Sequence, residues 1–84
     1  MTDFRKIFGI AIPRTDTERT RALEVVRSKV LALREAATRA VEEATATFEE
    51  EKVGDAVEAT RVYNEAIEEA RKQWPTEKFL TRGD

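Results

Sequence analysis

The feature that most constrains the fold is a stripe of apolar and small residues whose spacing alternates between three and four positions. We call this stripe the first seam; it consists of Leu23, Val26, Val30, Leu33, Ala37, Ala40 and Ala44. Residues at these spacings lie on one face of an α-helix, and a repeat sustained over three heptads is typical of a helix that packs lengthwise against another. The stripe therefore predicts one long amphipathic helix with a helical partner.

The start of this helix is marked by Thr15 and Glu18, which have the spacing of a capping box. In that motif the hydroxyl accepts a hydrogen bond from the amide three residues on, and the carboxylate accepts one from the capping residue's own amide. If the spacing of the first seam is continued past Ala44, it reaches mainly charged residues. A second set of positions with similar spacing, offset from the first, is apolar again. The shifted face comprises Val53, Val57, Thr60, Asn64, Ile67 and Trp74, flanked by Ala56, Tyr63, Ala66 and Ala70.

The change of register falls at Gly54 and predicts a turn there. Glycine suits the left-handed residue that follows a helix C-terminus, and Asp55 with Glu58 resembles a second capping box. Pro75 disfavours helical geometry in the residue before it, which places the end of the second helix at Trp74. The sequence thus predicts an all-α fold, an antiparallel two-helix hairpin that packs like a coiled coil and has unequal arms.

The predicted organisation has an apolar N-terminal arm, a hairpin and a C-terminal tail, at residues 1–14, 15–74 and 75–84. Within the hairpin we predict a helix at about 16–52, a turn at 53–55 and a helix at about 56–74. At 1.5 Å per residue the two helices would be about 55 Å and about 30 Å long. The longer one would then have no opposite helix from Leu23 to Val30. Two alternatives stay open: the N-terminal arm is either a short helix or extended, and the hairpin forms within one chain or between two.

The uncovered part of the first seam and the apolar ends of the chain predict a protein-binding surface. Its members are Phe4, Ile7, Phe8, Ile10, Ile12, Leu23, Val26, Val30, Phe79 and Leu80. A chain of 84 residues is near the size at which a single core stabilises a fold only narrowly. A protein partner or self-association is therefore expected.

Charge is distributed unevenly along the chain, although the net charge is only −2. Residues 1–40 carry +4, residues 41–70 carry −8 and residues 71–84 carry +2. The predicted turn lies in the acidic stretch and has an acidic tip formed by Glu49, Glu50, Glu51 and Asp55. At the C-terminal end of the first helix such residues would oppose the helix dipole. The tip is thus expected either to contact a basic protein surface or to act only as a solubilising cluster.

Residue types that common catalytic and metal sites need are missing. The sequence has no His and no Cys, and its three glycines stand apart, which disfavours imidazole, thiolate and Gly-rich phosphate sites. Adjacent glutamates point to different faces of a helix and so do not form paired carboxylates. We expect no enzymatic activity, no catalytic residues, no cofactor or metal ion, and no small-molecule substrate.

Composition also bears on nucleic acid, membranes and location. The net charge is negative and the basic residues are spread around the first helix, which disfavours binding to nucleic acid. No run of about 18 apolar residues and no signal-peptide pattern is present, so we expect a cytoplasmic protein or a component of an assembled particle, without contact with membranes. Arg outnumbers Lys ten to five, which is typical of a GC-rich bacterial or phage genome.

Two functions fit these expectations best. The first is a non-catalytic structural or assembly subunit that acts through protein–protein contacts of the hairpin and its terminal arms, for example in a multi-subunit particle such as a phage virion. The second is a small regulatory binder, an inhibitor or adaptor, that presents the acidic tip to a basic protein surface. A nucleic-acid-binding regulator ranks third.

Overall fold

The computed structural model describes residues 4–79 of the chain. These residues form no β-strand and three α-helices: α1 (Phe4–Phe8), α2 (Asp16–Thr47) and α3 (Glu50–Gln73). The two long helices pack against each other and α1 packs against both. The predicted all-α helical hairpin is confirmed, and the N-terminal arm contains a short helix.

The beginning of α2 matches the predicted capping box. The Thr15 hydroxyl accepts a hydrogen bond from the Glu18 amide at 3.1 Å, and the Glu18 carboxylate accepts from the Thr15 amide at 3.4 Å. The same carboxylate also accepts from the amide of Arg14 at 3.0 Å. Three backbone amides at the start of α2 are thereby satisfied by two side chains, which fixes where the helix begins.

The predicted turn at residues 53–55 is wrong, and so are the inner ends of the two predicted helices, 16–52 and 56–74. The chain reverses at Phe48 and Glu49, where Phe48 adopts the left-handed conformation with φ 55° and Glu49 is extended. Gly54 lies inside α3. The hydrophobic register does change between the two helices, but the change lies before Gly54. The left-handed residue that ends α2 is Phe48, an aromatic residue, and not a glycine.

An ion pair joins the two helices across this turn. Lys52 Nζ lies 3.0 Å from Glu43 Oε1. The hydrogen bond to Glu43, together with the negative charge of that carboxylate, raises the pKa of Lys52 above its usual value. Lys52 therefore belongs to the first turns of α3, where it contacts the end of α2, and not to the end of a longer first helix.

Moving the turn by five residues changes which parts of the helices face each other. α3 now reaches the beginning of α2, so the Arg19 guanidinium lies 5.8 Å from the centroid of the Trp74 ring. The Arg19 side chain also donates to the Gln73 carbonyl at 2.8 Å, at the end of α3. The prediction that the first seam lacks an opposite helix from Leu23 to Val30 is therefore wrong.

The observed position of the turn also overturns the electrostatic argument about the acidic tip. Glu50 and Glu51 occupy the first turn of α3, and Glu49 precedes it. The positive end of the helix dipole stabilises acidic side chains in this position. Local stability thus accounts for part of this cluster, contrary to the expectation from the sequence.

The open end of the hairpin is closed by α1 and by the segment that follows α3. The Phe4 ring centroid lies 4.8 Å from that of Phe8 and 6.3 Å from that of Trp74. Phe79 is buried in the same cluster, and an ion pair from Arg27 to Glu77 ties its segment to α2. Both ends of the described chain therefore complete one internal core.

We expect Gly54→Ala to raise the free energy of unfolding by about 0.5–1 kcal/mol, because glycine within a helix is destabilising relative to alanine. A Cβ atom at Gly54 would meet nothing within 4 Å. Gly9 is the matched control: its surroundings are equally open but its φ is +72°, so Gly9→Ala should cost about 1 kcal/mol. Urea denaturation of both variants checks this. If Gly54→Ala destabilised the chain as Gly9→Ala does, Gly54 would be a turn residue.

Candidate functional site

Most of the apolar residues predicted to bind a partner lie inside the chain. Five of them are buried in the core: Phe4, Phe8, Val26, Val30 and Phe79. Three more are partly buried against it: Ile7, Ile10 and Leu23. Leu80 lies outside the described residues. Ile12, which is 54% exposed, is the one described member with a largely exposed side chain, so the structure does not bring this set together as a surface.

Exposed apolar side chains gather instead at the turn between α2 and α3. Phe48 is 81% exposed and Val57 is 65% exposed, and Val41 and Val53 are also exposed. They border an apolar groove of about 500 Å³, which we call the tip groove; it is lined by Val41, Ala44, Thr45, Phe48, Val53, Ala56, Val57 and Thr60. Adjoining exposed apolar side chains of this kind mark candidate interaction sites, whereas single ones are ordinary.

Phe48 is unfavourable in its position on two physical grounds. Its left-handed backbone, with φ 55°, costs roughly 1–2 kcal/mol for a residue with a Cβ atom, and glycine or asparagine commonly fills such a position. Its ring is left in solvent and so gains little from burial. Because an observed backbone outlier supports a hypothesis of function, Phe48 is the strongest single indication of a binding site in the described chain.

We expect Phe48→Asn to leave the fold intact and to raise the free energy of unfolding by up to about 1 kcal/mol, because asparagine tolerates the left-handed conformation. Little hydrophobic contact is lost, since the Phe48 side chain is 81% exposed. Chemical denaturation of the variant beside the parent chain measures the change. A loss of more than about 1 kcal/mol would mean that the ring supports the fold.

The stretch of chain that forms the tip groove is acidic. Residues 41–58 contain seven acidic residues and one lysine, a net charge of −6. Glu43 pairs with Lys52, and Glu58 pairs with Arg61. The other five carboxylates form no ion pair with any residue between 4 and 79; they belong to Glu42, Glu49, Glu50, Glu51 and Asp55. All four residues of the predicted acidic tip are among these five, so the turn end of the hairpin carries negative charge without an ion-pair partner in the described residues.

A second, smaller apolar groove lies at the opposite end of the hairpin. We call it the base groove; it has a volume of about 260 Å³ and is lined by Ile10, Ala11, Ile12, Pro13, Glu18, Arg21, Ala22 and Val25. Ile12 and Val25 are exposed within it. The Glu18 carboxylate is engaged by backbone amides at the start of α2, whereas the guanidinium groups of Arg14 and Arg21 form no ion pair within the described part of the chain.

The geometry offers little for other kinds of site. Within residues 4–79, no three His, Cys, Asp or Glu side chains are grouped so that they could hold a metal ion. None of the described helices contains a stretch long and apolar enough to cross a membrane. The basic side chains of Arg27 and Arg61 are occupied by Glu77 and Glu58, which reduces the free positive charge available to a nucleic-acid backbone.

The sequence did not reveal the tip groove because Val53 and Val57 were predicted to lie on the apolar face of the second helix, whereas both are exposed. The buried stripe of that helix runs through Ala56, Tyr63, Ala66, Ile67 and Ala70, and it includes the predicted Ile67 and the four residues predicted to flank the apolar face. Val53 and Val57 lie beside this stripe and are exposed. The buried residues repeat every seven positions from Ala56 to Tyr63 to Ala70, but the predicted face has the same repeat from Val53 to Thr60 to Ile67. Spacing alone therefore does not distinguish them, and the larger valines favoured the second.

Comparison with protein-family models, with curated proteins and with solved structures finds no match to this chain.

Proposed function

We propose that the chain is a non-catalytic structural or assembly subunit that works through protein–protein contacts, with the tip groove as its main contact surface. The observation that carries this proposal is Phe48, an exposed aromatic residue held in a left-handed conformation beside an apolar groove. A component of a multi-subunit particle, such as a virion, is one setting in which a protein of this kind would act.

The composition of the tip groove supports a protein partner. Energetically dominant interface residues are often aromatic, and they are surrounded by side chains that exclude water without contributing much energy themselves. Phe48 has the first role, and Val41, Val53 and Val57 have the second. The groove is open and apolar, with charges confined to its surroundings, which is the arrangement of an apolar interface centre with a polar rim.

The two ends of the described chain, which the sequence predicted to contact a partner, are buried at Phe4 and Phe79. Phe4 and Phe79 close the open end of the hairpin, so these segments support the fold and hold the two helices in register. The proposal therefore transfers the contact surface from the arms to the tip, where binding does not require the core to open.

Site-specific photo-crosslinking tests this proposal whatever the identity of the partner. A photoreactive benzoylphenylalanine in place of Val57 should give covalent protein adducts in the native host, because this position borders the tip groove. Leu31 is the matched control, since it is 46% exposed and lies on α2 outside the groove. Equal adduct formation at both positions, or none at Val57, would contradict the proposal.

A regulatory binder, an inhibitor or adaptor, is the second candidate, and the five unpaired carboxylates around the tip groove favour it. In this case the acidic tip, and not the apolar groove, would supply most of the recognition. Reversing the charge of Glu49, Glu50 and Glu51 would then abolish adduct formation at Val57, whereas Phe48→Asn would leave it intact. If instead Phe48→Asn abolishes the adducts and the charge reversal leaves them intact, the assembly subunit is favoured.

A further inference from the structure

We infer that the occupant of the tip groove is the base groove of a second copy of this chain, so that molecules associate head to tail. This inference rests on the proposed function and names its partner. It joins the tip groove to the base groove, which lie at ends of the hairpin with opposite net charge, and it gives a role to Phe48, which the internal core does not use.

Charge complementarity identifies a second copy as the partner. The region around the tip groove, residues 41–58, has a net charge of −6. At the other end of the hairpin, residues 5–29 carry +4 and residues 65–79, which face them, carry −1, so this end has a net charge of +3. A head-to-tail contact brings these two regions together, whereas a tip-to-tip contact would place two copies of the −6 region against each other, which like charges disfavour.

The two grooves also match in chemistry and size. An apolar cavity of about 150 Å³ is large enough to bind benzene, so the base groove, at about 260 Å³, can accept the ring of Phe48. Ile12 and Val25 supply exposed apolar contacts for the ring. Arg21 lines the base groove, and Arg14 lines an adjoining cavity that shares Ile12 and Glu18 with it. Neither has an acidic partner within the described residues, so both can pair with carboxylates of an incoming tip.

The placement of the grooves determines the type of assembly. They lie at opposite ends of a molecule whose longest dimension is 47 Å. A contact between unlike surfaces at opposite ends is heterologous, so each added copy leaves one tip and one base free. The assembly is therefore not a closed two-fold dimer: it grows by head-to-tail addition as concentration rises, as an open row or, where the rotation between neighbours closes, as a ring.

Sedimentation velocity of the purified full chain tests the association. The average sedimentation coefficient should rise continuously with protein concentration, and a tenfold increase in NaCl should weaken association at least about threefold because salt screens the charges. Phe48→Asn should weaken it at least about tenfold, as expected when an aromatic anchor is lost. A monomer at all concentrations would overturn the inference.

A mixing experiment tests the head-to-tail arrangement itself. Phe48→Asn impairs only the tip, and Val25→Glu impairs only the base, at a residue exposed enough to accept a carboxylate. At the lowest concentration at which the parent chain associates, each variant alone should stay largely monomeric, with helicity by circular dichroism like that of the parent chain. Mixed in equal amounts, they should form a discrete dimer, because the base of Phe48→Asn remains able to bind the tip of Val25→Glu.

The possible outcomes separate this inference from the proposed function. A Val25→Glu variant that dimerises alone would show a tip-to-tip contact and overturn the head-to-tail arrangement, while the proposed function stands. Adducts at Val57 that contain only other proteins, and no second copy of this chain, would also overturn the head-to-tail arrangement and leave the proposed function standing. The absence of every adduct at Val57 would overturn both.

Discussion

Replacing Trp74 with alanine is expected to lower the free energy of unfolding by about 3–5 kcal/mol, the usual cost of removing a large aromatic side chain from a core. Trp74 is buried and contacts three parts of the fold: the Phe4 ring of α1 lies 6.3 Å away, Arg19 of α2 lies over its ring, and Phe79 belongs to the same cluster. Since small domains have total stabilities of about 5–15 kcal/mol, a large share would be lost.

Urea denaturation followed by far-UV circular dichroism measures this effect, because Trp74 is the only tryptophan and the variant has no tryptophan fluorescence. The matched control is Phe48→Ala, which also removes a large aromatic side chain, but from an exposed position. It should change the free energy of unfolding by no more than about 0.5 kcal/mol, as is usual for surface substitutions. Equal losses in the two variants would contradict the assignment of Trp74 to the core and Phe48 to the surface.

The second large effect is expected at Val30, which is 1% exposed at the contact between α2 and α3. Val30→Asp should destabilise the chain by about 4 kcal/mol or more, because it removes an apolar contact and buries a carboxylate without a partner. Leu31→Asp is the control, one position along the same helix and 46% exposed, and it should cost less than about 1 kcal/mol.

This pair of variants also separates two roles for the first seam. If Val30 belongs to the internal core, Val30→Asp unfolds the isolated chain, and circular dichroism reports the loss of helix. If it instead faced a partner, the isolated chain would stay folded and only association would be lost. A folded Val30→Asp variant with the parent's stability would therefore contradict the internal hairpin.

Local patterns in the sequence are sufficient to predict the two long helices and their outer ends, whereas they leave open whether the N-terminal arm is the short helix α1 or extended. The capping box at Thr15 and the proline after Trp74 act over a few residues, so they can be recognised without knowing the rest of the fold. The turn is harder to place, because Gly54 and Asp55 carry the preferences of a helix terminus, whereas the actual reversal uses Phe48. Propensity is a weak guide where packing between whole helices decides the register.

The predicted binding surface was misplaced because the turn between the two helices was predicted at the wrong residues. With the turn at residues 53–55, α3 is too short to cover Leu23 to Val30, and these residues then resemble a binding surface. With the turn at Phe48 and Glu49, they are covered and the tip becomes the exposed apolar region. Exposure depends on contacts between residues distant in sequence, so the buried Val30 and the exposed Val57 cannot be distinguished by composition alone.

The central claim is that the tip groove is the contact surface of a hairpin whose core is complete within one chain. Photo-crosslinking from position 57 in two backgrounds tests this claim most directly. The photoreactive residue replaces Val57 in the otherwise unchanged chain and in the Phe48→Asn variant, and denaturation establishes that both are folded. Our account predicts abundant adducts in the first and at least about a tenfold reduction in the second, because an interface anchor is lost. Equal yields from two folded proteins would contradict it.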